Sequence, residues 1–231
     1  MTSLNLILAQ MSATTAPTAQ AAVTTEANLW ELTLKGGWIM IPLALLLIVS
    51  IYIFFERCFA INSVSREDKD FMQQIRDFVH NGKIQEAQNL CEKTNKPYSR
   101  MIAKGLSRIG RPMNDVLVTV ENVGNIEVAR LENGFSWLAT TAAGAPMIGF
   151  LGTVTGMVKA FMALAGAGSS ANVTILSQGI YEALVTTVAG LIVGITALFA
   201  YNFLTSRVNK IMNKLERNTM EFMDLLNEPA K

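Results

Sequence analysis

Three long apolar windows without a formal charge punctuate the chain after a polar, uncharged start. The first runs from Gly36 to Phe55 and reads GGWIMIPLALLLIVSIYIFF. The second comprises the 26 residues between Glu132 and Lys159, and the third the 24 residues between Glu182 and Arg207. A helix needs about 20 apolar residues to cross roughly 30 Å of hydrocarbon, so each window predicts a membrane span. The expected spans are residues 36–56, 134–165 and 175–205, with a short link over 166–174. The last two are dotted with Gly, Ala, Ser and Thr, which a plain apolar anchor does not need. In lipid, small residues let helix backbones approach closely, and hydroxyls can line a wet path between them.

Between the first and second windows the pattern changes to amphipathic helix. Phe71, Ile75, Phe78 and Val79 share one face, which Asn81-Gly82 ends. Ile84, Ala87 and Leu90 make a second short face, and Met101, Ile102, Leu106 and Ile109 a third, stopped by Gly110-Arg111-Pro112. From Asn114 a stripe of Val116, Val120, Val123, Ile126 and Leu131 meets no breaker but Gly124. It predicts one helix of about fifty residues running from water into the second span, at about 1.5 Å per residue. Residues 1–35 read as an uncharged tail followed by an interfacial helix over Glu26 to Lys35. Residues 206–231 read as a helix and tail. The expected fold class is therefore an all-α integral membrane protein with three transmembrane helices, two of them extended into a cytoplasmic helical bundle formed with residues 57–133.

Charge gives the expected orientation. Twelve Lys and Arg fall between Arg57 and Arg130 and five after Leu204, whereas the first 34 residues and the link near Ala165 to Thr174 hold none. Basic segments stay in the cytoplasm, so the N-terminus and the link are expected to face outward, with residues 57–133 and the C-terminus inward. The net charge of +1 leaves no nucleic-acid footprint. Cys58 and Cys91 lie in the polar segment, where a cytoplasmic location disfavours a disulfide. With one histidine, His80, nothing suggests a metal or cofactor site. No nucleophile–base pair or phosphate-binding loop supports an enzyme.

Candidate chemistry is confined to the spans. An ionised Glu182 in hydrocarbon costs several kcal/mol, so it should face protein or water and hold a partner or a proton. A hairpin centred near Ala171 puts Lys159 at similar depth on the neighbouring helix, a possible ion-pair partner. Thr153, Thr186 and Thr187 fall at one level and could form a polar ring in an oligomer, or could each bond to their own helix. Gly149, Gly152 and Gly156 share a face, and Gly190 with Gly194 forms GxxxG. Both are expected to serve helix packing alone. Pro146 removes a backbone bond to the carbonyl of Ala142, tolerable only where protein or water covers that oxygen.

At these residues the sequence resembles the ExbB/TolQ/MotA proton-channel family. The stretch APMIGFLGTVTGM, Ala145 to Met157, is similar to the family's A-P-L-L-G-L-L-G-T-V-x-G-M. GIYEALVTTVAGLIVGI, Gly179 to Ile195, is similar to its G-I-x-E-A-L-x-x-T-x-x-G-L-x-x-A-I. The three-span pattern is nearer to the ExbB and TolQ branches than to the four-span flagellar branch. The resemblance implies a homo-pentamer in the bacterial inner membrane. Its lumen would hold single-span helices of an ExbD- or TolR-like partner dimer, and lipid would surround it. Glu182, Thr153 and Thr187 match the family's third-span glutamate, second-span threonine and third-span threonine, which face the proton path and the partner. Thr186 and Lys159 match no family position, and Thr196 stands where the family often has proline. The implied function is coupling of the proton motive force through a TonB-like protein to transport across an outer membrane. A TolQ-like role in the envelope, or a non-conducting scaffold, is the alternative.

Overall fold

The computed structural model describes residues 36–65, 70–167 and 173–228. The expected outward tail, the interfacial helix before Gly36 and the middle of the link lie outside the described residues. The described chain folds as helices α1 (Met40–Ser65), α2 (Phe71–His80), α3 (Ile84–Thr94), α4 (Pro97–Leu106), α5 (Met113–Leu131), α6 (Phe135–Ala167) and α7 (Val173–Asn227). No strand occurs among the described residues.

Helices α1, α6 and α7 each contain a stretch long and apolar enough to cross a membrane, one in each uncharged window. Ile41, Ile48 and Tyr52 on α1, Phe150 and Phe161 on α6, and Leu184, Ile192 and Phe199 on α7 are exposed on the isolated chain. An apolar surface of that extent suits lipid or neighbouring spans rather than water.

The α6–α7 pair is the tightest packing in the fold. A β-carbon on Gly190 would come within 2.6 Å of Ala145 O and 2.9 Å of Gly149 Cα, and one on Gly156 within 2.9 Å of Ala183 Cβ. A β-carbon on Gly179 would lie 2.5 Å from Ala160 Cβ. These three contacts fix one antiparallel register in which Gly149 meets Gly190, Gly156 meets Ala183 and Ala160 meets Gly179. Small residues stand on both sides because two helix backbones touch there. Pro146 sits inside α6, which continues through it. A β-carbon on Gly194 would lie 2.6 Å from Pro146 Cγ and 3.1 Å from Ala142 O. Protein therefore covers the carbonyl that Pro146 leaves without its helix bond.

The polar half is a bundle threaded by α7. Leu204, Val208, Ile211, Leu215 and Phe222 on α7 are all buried, at alternating spacings of four and three residues with one position skipped. That repeat keeps one face of a long helix turned to its partners. Ile75 of α2, Ala87 and Cys91 of α3, Ile102 and Leu106 of α4, and Val116 and Val120 of α5 complete the same core. The ends are fastened by polar contacts. Arg57 NH1 donates to Arg130 O at 3.3 Å, Arg57 NH2 pairs with Glu56 at 2.7 Å, and the His80 ring lies 3.1 Å from Glu228.

Two expectations for the polar segment need correction. The helix beginning near Asn114 does not run unbroken into the second span, since α5 stops at Leu131 and α6 starts at Phe135. Gly134 adopts φ +87°, a left-handed conformation that side-chain-bearing residues avoid, and Phe135 N donates to Glu132 O at 3.0 Å across the turn. Gly124, the only breaker read in the stripe, remains helical and makes room for Met101, whose Cε would lie 2.8 Å from a β-carbon there. Ile126 of the stripe is exposed, and Glu127 beside it is buried in its place, ahead of Leu131.

Candidate functional site

Glu182 lies nine residues into α7, about 14 Å from its first residue. It is half-buried, and its carboxylate reaches the start of α1. A β-carbon on Gly37 would stand 2.5 Å from Glu182 Oε1. Gly37 itself holds φ +67°, and Gly37 O accepts the first backbone bond of α1, from Met40 N at 3.2 Å. The turn that starts the first span thus rests on the acid of the third. Within the described residues the carboxylate forms no hydrogen bond and no ion pair.

Lys159 is exposed on α6 and is not paired with Glu182. The α6–α7 register puts Met157 level with Glu182 and Lys159 level with Ile180, two residues or about 3 Å nearer the link.

The threonines separate into different roles. Thr187 Oγ1 donates across the helix pair to Gly149 O at 3.1 Å. Thr186, which is buried, donates to Ala183 O of its own helix at 2.7 Å and approaches Gly149 O at 3.4 Å. Its hydroxyl also presses on Gly152, where a β-carbon would collide with it. Thr153 donates to Phe150 O at 2.6 Å. Thr153 does stand level with Thr186, as the counting anticipated, but no hydrogen bond joins any of the three to another or to Glu182. Glu182 and Thr187 are five residues apart, about 140° around α7. One faces α1 and the other α6, so a single copy does not join them into one polar line.

Gly149, Gly152, Gly156, Gly190 and Gly194 all lie in the α6–α7 seam, inside one subunit. Two groups escaped sequence reading. Gly36-Gly37 registered only as the start of a span, and nothing in the sequence tied it to Glu182. Glu127 carried a usable signal, being an acid at the helical phase of Val116 and Val120. It is buried and binds Arg100 Nε at 3.1 Å and Arg130 NH1 at 2.7 Å, with a further contact to Arg100 NH2. Arg100 also donates to the backbone and side-chain oxygens of Asn95, each at 2.9 Å. Burial, with Glu92 beside it, pushes the Cys91 thiol of the bundle up to about 12, so it is held as an inert thiol.

Comparison with known proteins bears on the α6–α7 hairpin and the bundle together. The MotA/TolQ/ExbB proton channel family matches residues 93–217. The chain belongs to that family. An ExbB-like biopolymer transport protein of Synechocystis is 31% identical over 183 residues, covering 78% of this chain and 72% of its own. TolQ of the Tol-Pal system of Haemophilus influenzae is 43% identical over 106 residues, 46% of each protein. ExbB of Xanthomonas campestris is 38% identical over 90 residues, 39% of this chain and 35% of that protein. The chain therefore spans less than half the length of the TolQ and ExbB relatives that it matches. Members of the family are channel and transport subunits, not enzymes. With three membrane-spanning helices, the chain is a multi-pass inner-membrane subunit of the proton-channel type.

Proposed function

We infer that the chain is the membrane motor subunit of a TonB-type system. Several copies, five by the family resemblance, would enclose a dimer of ExbD-like single-span helices, and proton flow past them would drive a TonB-like protein. The N-terminus would face the periplasm and the bundle the cytoplasm. The observation carrying this reading is Glu182, a half-buried acid about 14 Å into α7 with no hydrogen-bond or ion-pair partner among the described residues. A carboxylate so placed needs a proton, water or a partner, and an ion path in the assembled complex would supply them. Thr153 and Thr187 would line the same path in the assembled complex. The ExbB reading draws on the Synechocystis relative, which covers the longest part of the chain among the three.

A TolQ-like role in the Tol-Pal system is the second reading, favoured by the 43% identity over 106 residues with TolQ of Haemophilus influenzae. A non-conducting scaffold has less support, because the glycine faces that would have served assembly are consumed within the subunit. The test is proton flux into liposomes containing the complex with its co-purified partner. Glu182→Ala and Thr153→Ala should each abolish most of the flux while the oligomer stays intact. Wild-type flux from Glu182→Ala would overturn the ion-path reading. Which protein co-purifies, TonB-like or TolA-like, decides between the two systems.

A further inference from the structure

Three adjoining hollows run along the α1–α7 contact at the end of the spans that carries the bundle. The deepest is an apolar groove of about 370 Å³ lined by Ile51, Phe54, Phe55, Phe199, Ala200 and Phe203 among others. Next comes a small recess of about 160 Å³ beside Cys58, Asn62 and Arg207. Outermost is a notch of about 470 Å³ containing Ser206, Arg207, Lys210 and Lys214. Phe203 lines all three, so they adjoin along one side of the α1–α7 contact as a segmented channel.

The charge along this channel is one-sided. Among the described residues, its apolar end has no ionisable residue, and its outer end has three cations and no acid. Arg207 is held at the mouth by the Phe203 ring, with Cζ 5.2 Å from the ring centroid. Neither Arg207 nor Lys210 forms an ion pair among the described residues. The length fits one leaflet. From Thr196, the deepest α7 residue of the groove, to Arg207 is eleven residues, about 16 Å of helix. That is about half of the ~30 Å hydrocarbon thickness.

An occupant must therefore be apolar over one leaflet and anionic at its boundary. We propose that the α1–α7 channel is a binding site for an anionic phospholipid of the leaflet facing the bundle. One acyl chain lies along Phe54, Phe199 and Ala200, and the phosphate meets Arg207 and Lys210. The lipid would fill the space between the first span and the point where α7 leaves the membrane, stiffening the joint between spans and bundle.

The experiment is native mass spectrometry of the intact complex from nanodiscs holding equal phosphatidylglycerol and phosphatidylcholine. Phosphatidylglycerol should be retained in preference, and Arg207→Gln with Lys210→Gln should lower that preference by about fivefold per cation removed. Ala200→Trp, which fills the groove, should reduce retention of both lipids. Equal retention by the wild-type complex, or an unchanged preference in the charge variant, overturns the proposal. So does a lipid-free complex in which Ala200→Cys cross-links between copies, since a second chain would then occupy the channel. Should the double variant fail to assemble, Lys210→Gln alone carries the test, with the same expected loss per charge.

Discussion

Gly37 leaves space for Glu182, and any side chain in its place would press on the carboxylate. The contact joins the beginning of the first span to the acid of the third, two elements far apart in sequence. Gly37→Ala acts in two ways. Holding φ near +67° costs a residue with a β-carbon about 1–2 kcal/mol, and the carboxylate must swing away from α1. The swing is cheap, because it moves only the end of a flexible side chain, so the fold survives. Expected is an assembled complex, slightly less heat-stable, with proton flux reduced toward that of Glu182→Ala. Flux at the wild-type level in Gly37→Ala would detach α1 from the ion path.

The seam between α6 and α7 is less forgiving. A β-carbon on Gly190 meets backbone atoms, Ala145 O and Gly149 Cα, and backbone cannot move aside as a side chain can. Gly190→Ala is expected to lower stability by about 1–3 kcal/mol, the usual cost of overpacking. Gly144, on the same helix as Gly149, has nothing within 4 Å of a β-carbon, so Gly144→Ala should be neutral or raise stability by up to about 1 kcal/mol through helix propensity. Melting of both variants in one detergent compares them directly. Equal loss from the two would mean that the seam does not hold the hairpin.

Thr187 offers a way to separate packing from conduction. Its hydroxyl bonds Gly149 O across the seam at 3.1 Å, and an interhelical bond of this kind in a membrane averages about 0.6 kcal/mol. Thr187→Val keeps the shape and removes the bond, so its melting temperature should barely change. A large fall in proton flux with unchanged melting would then assign the hydroxyl to the path. Unchanged flux would leave Thr187 as a packing residue only.

Much of this architecture was legible because it follows from local pattern. The spans declare themselves by absence of charge over the length a bilayer demands, and the short bundle helices by apolar periodicity with Gly and Pro stops. The close-packing role of Gly149 and Gly190 could be read from spacing, but which helices they join could not. Their sequence is equally suited to contacts within a subunit or between subunits. The break at Gly134 was missed because one glycine at the edge of a long uncharged window gives no sign of its φ. Glu127 takes the buried position that hydrophobicity alone assigns to Ile126, because helical phase decides which side of α5 meets the core. The Gly37–Glu182 contact lies beyond any local rule, since it depends on how three spans pack.

Glu127 should reveal how much the bundle depends on one buried ion pair. It is 5% exposed and faces Arg100 and Arg130, which are 37% and 66% exposed. Removing one partner of a buried pair typically costs about 3–5 kcal/mol because the other charge is left desolvated. Arg100→Met should fall at the low end, since solvent reaches the arginine and Arg130 remains. Glu127→Leu with Arg100→Met should cost less than the two single changes added together. A double-mutant cycle by chemical denaturation measures the coupling, and strict additivity would mean that the pair contributes nothing beyond its separate contacts.

Cys91 provides a probe of the bundle by pH. Its thiol, ordinarily at 9.0, is pushed up to about 12 by burial and then by Glu92. A raised folded-state value means that the neutral thiol is favoured by folding. Its contribution to stability is complete below pH 9, where both states keep the proton. It is lost between about 9 and 12, as the unfolded chain ionises first. At pH 8 maleimide should therefore label Cys58, half-buried near the end of the first span, well ahead of Cys91. Adding denaturant should bring Cys91 to the rate of an ordinary thiol. Rapid labelling of Cys91 in the native complex at pH 8 would mean that α3 opens from the bundle far more often than its burial implies.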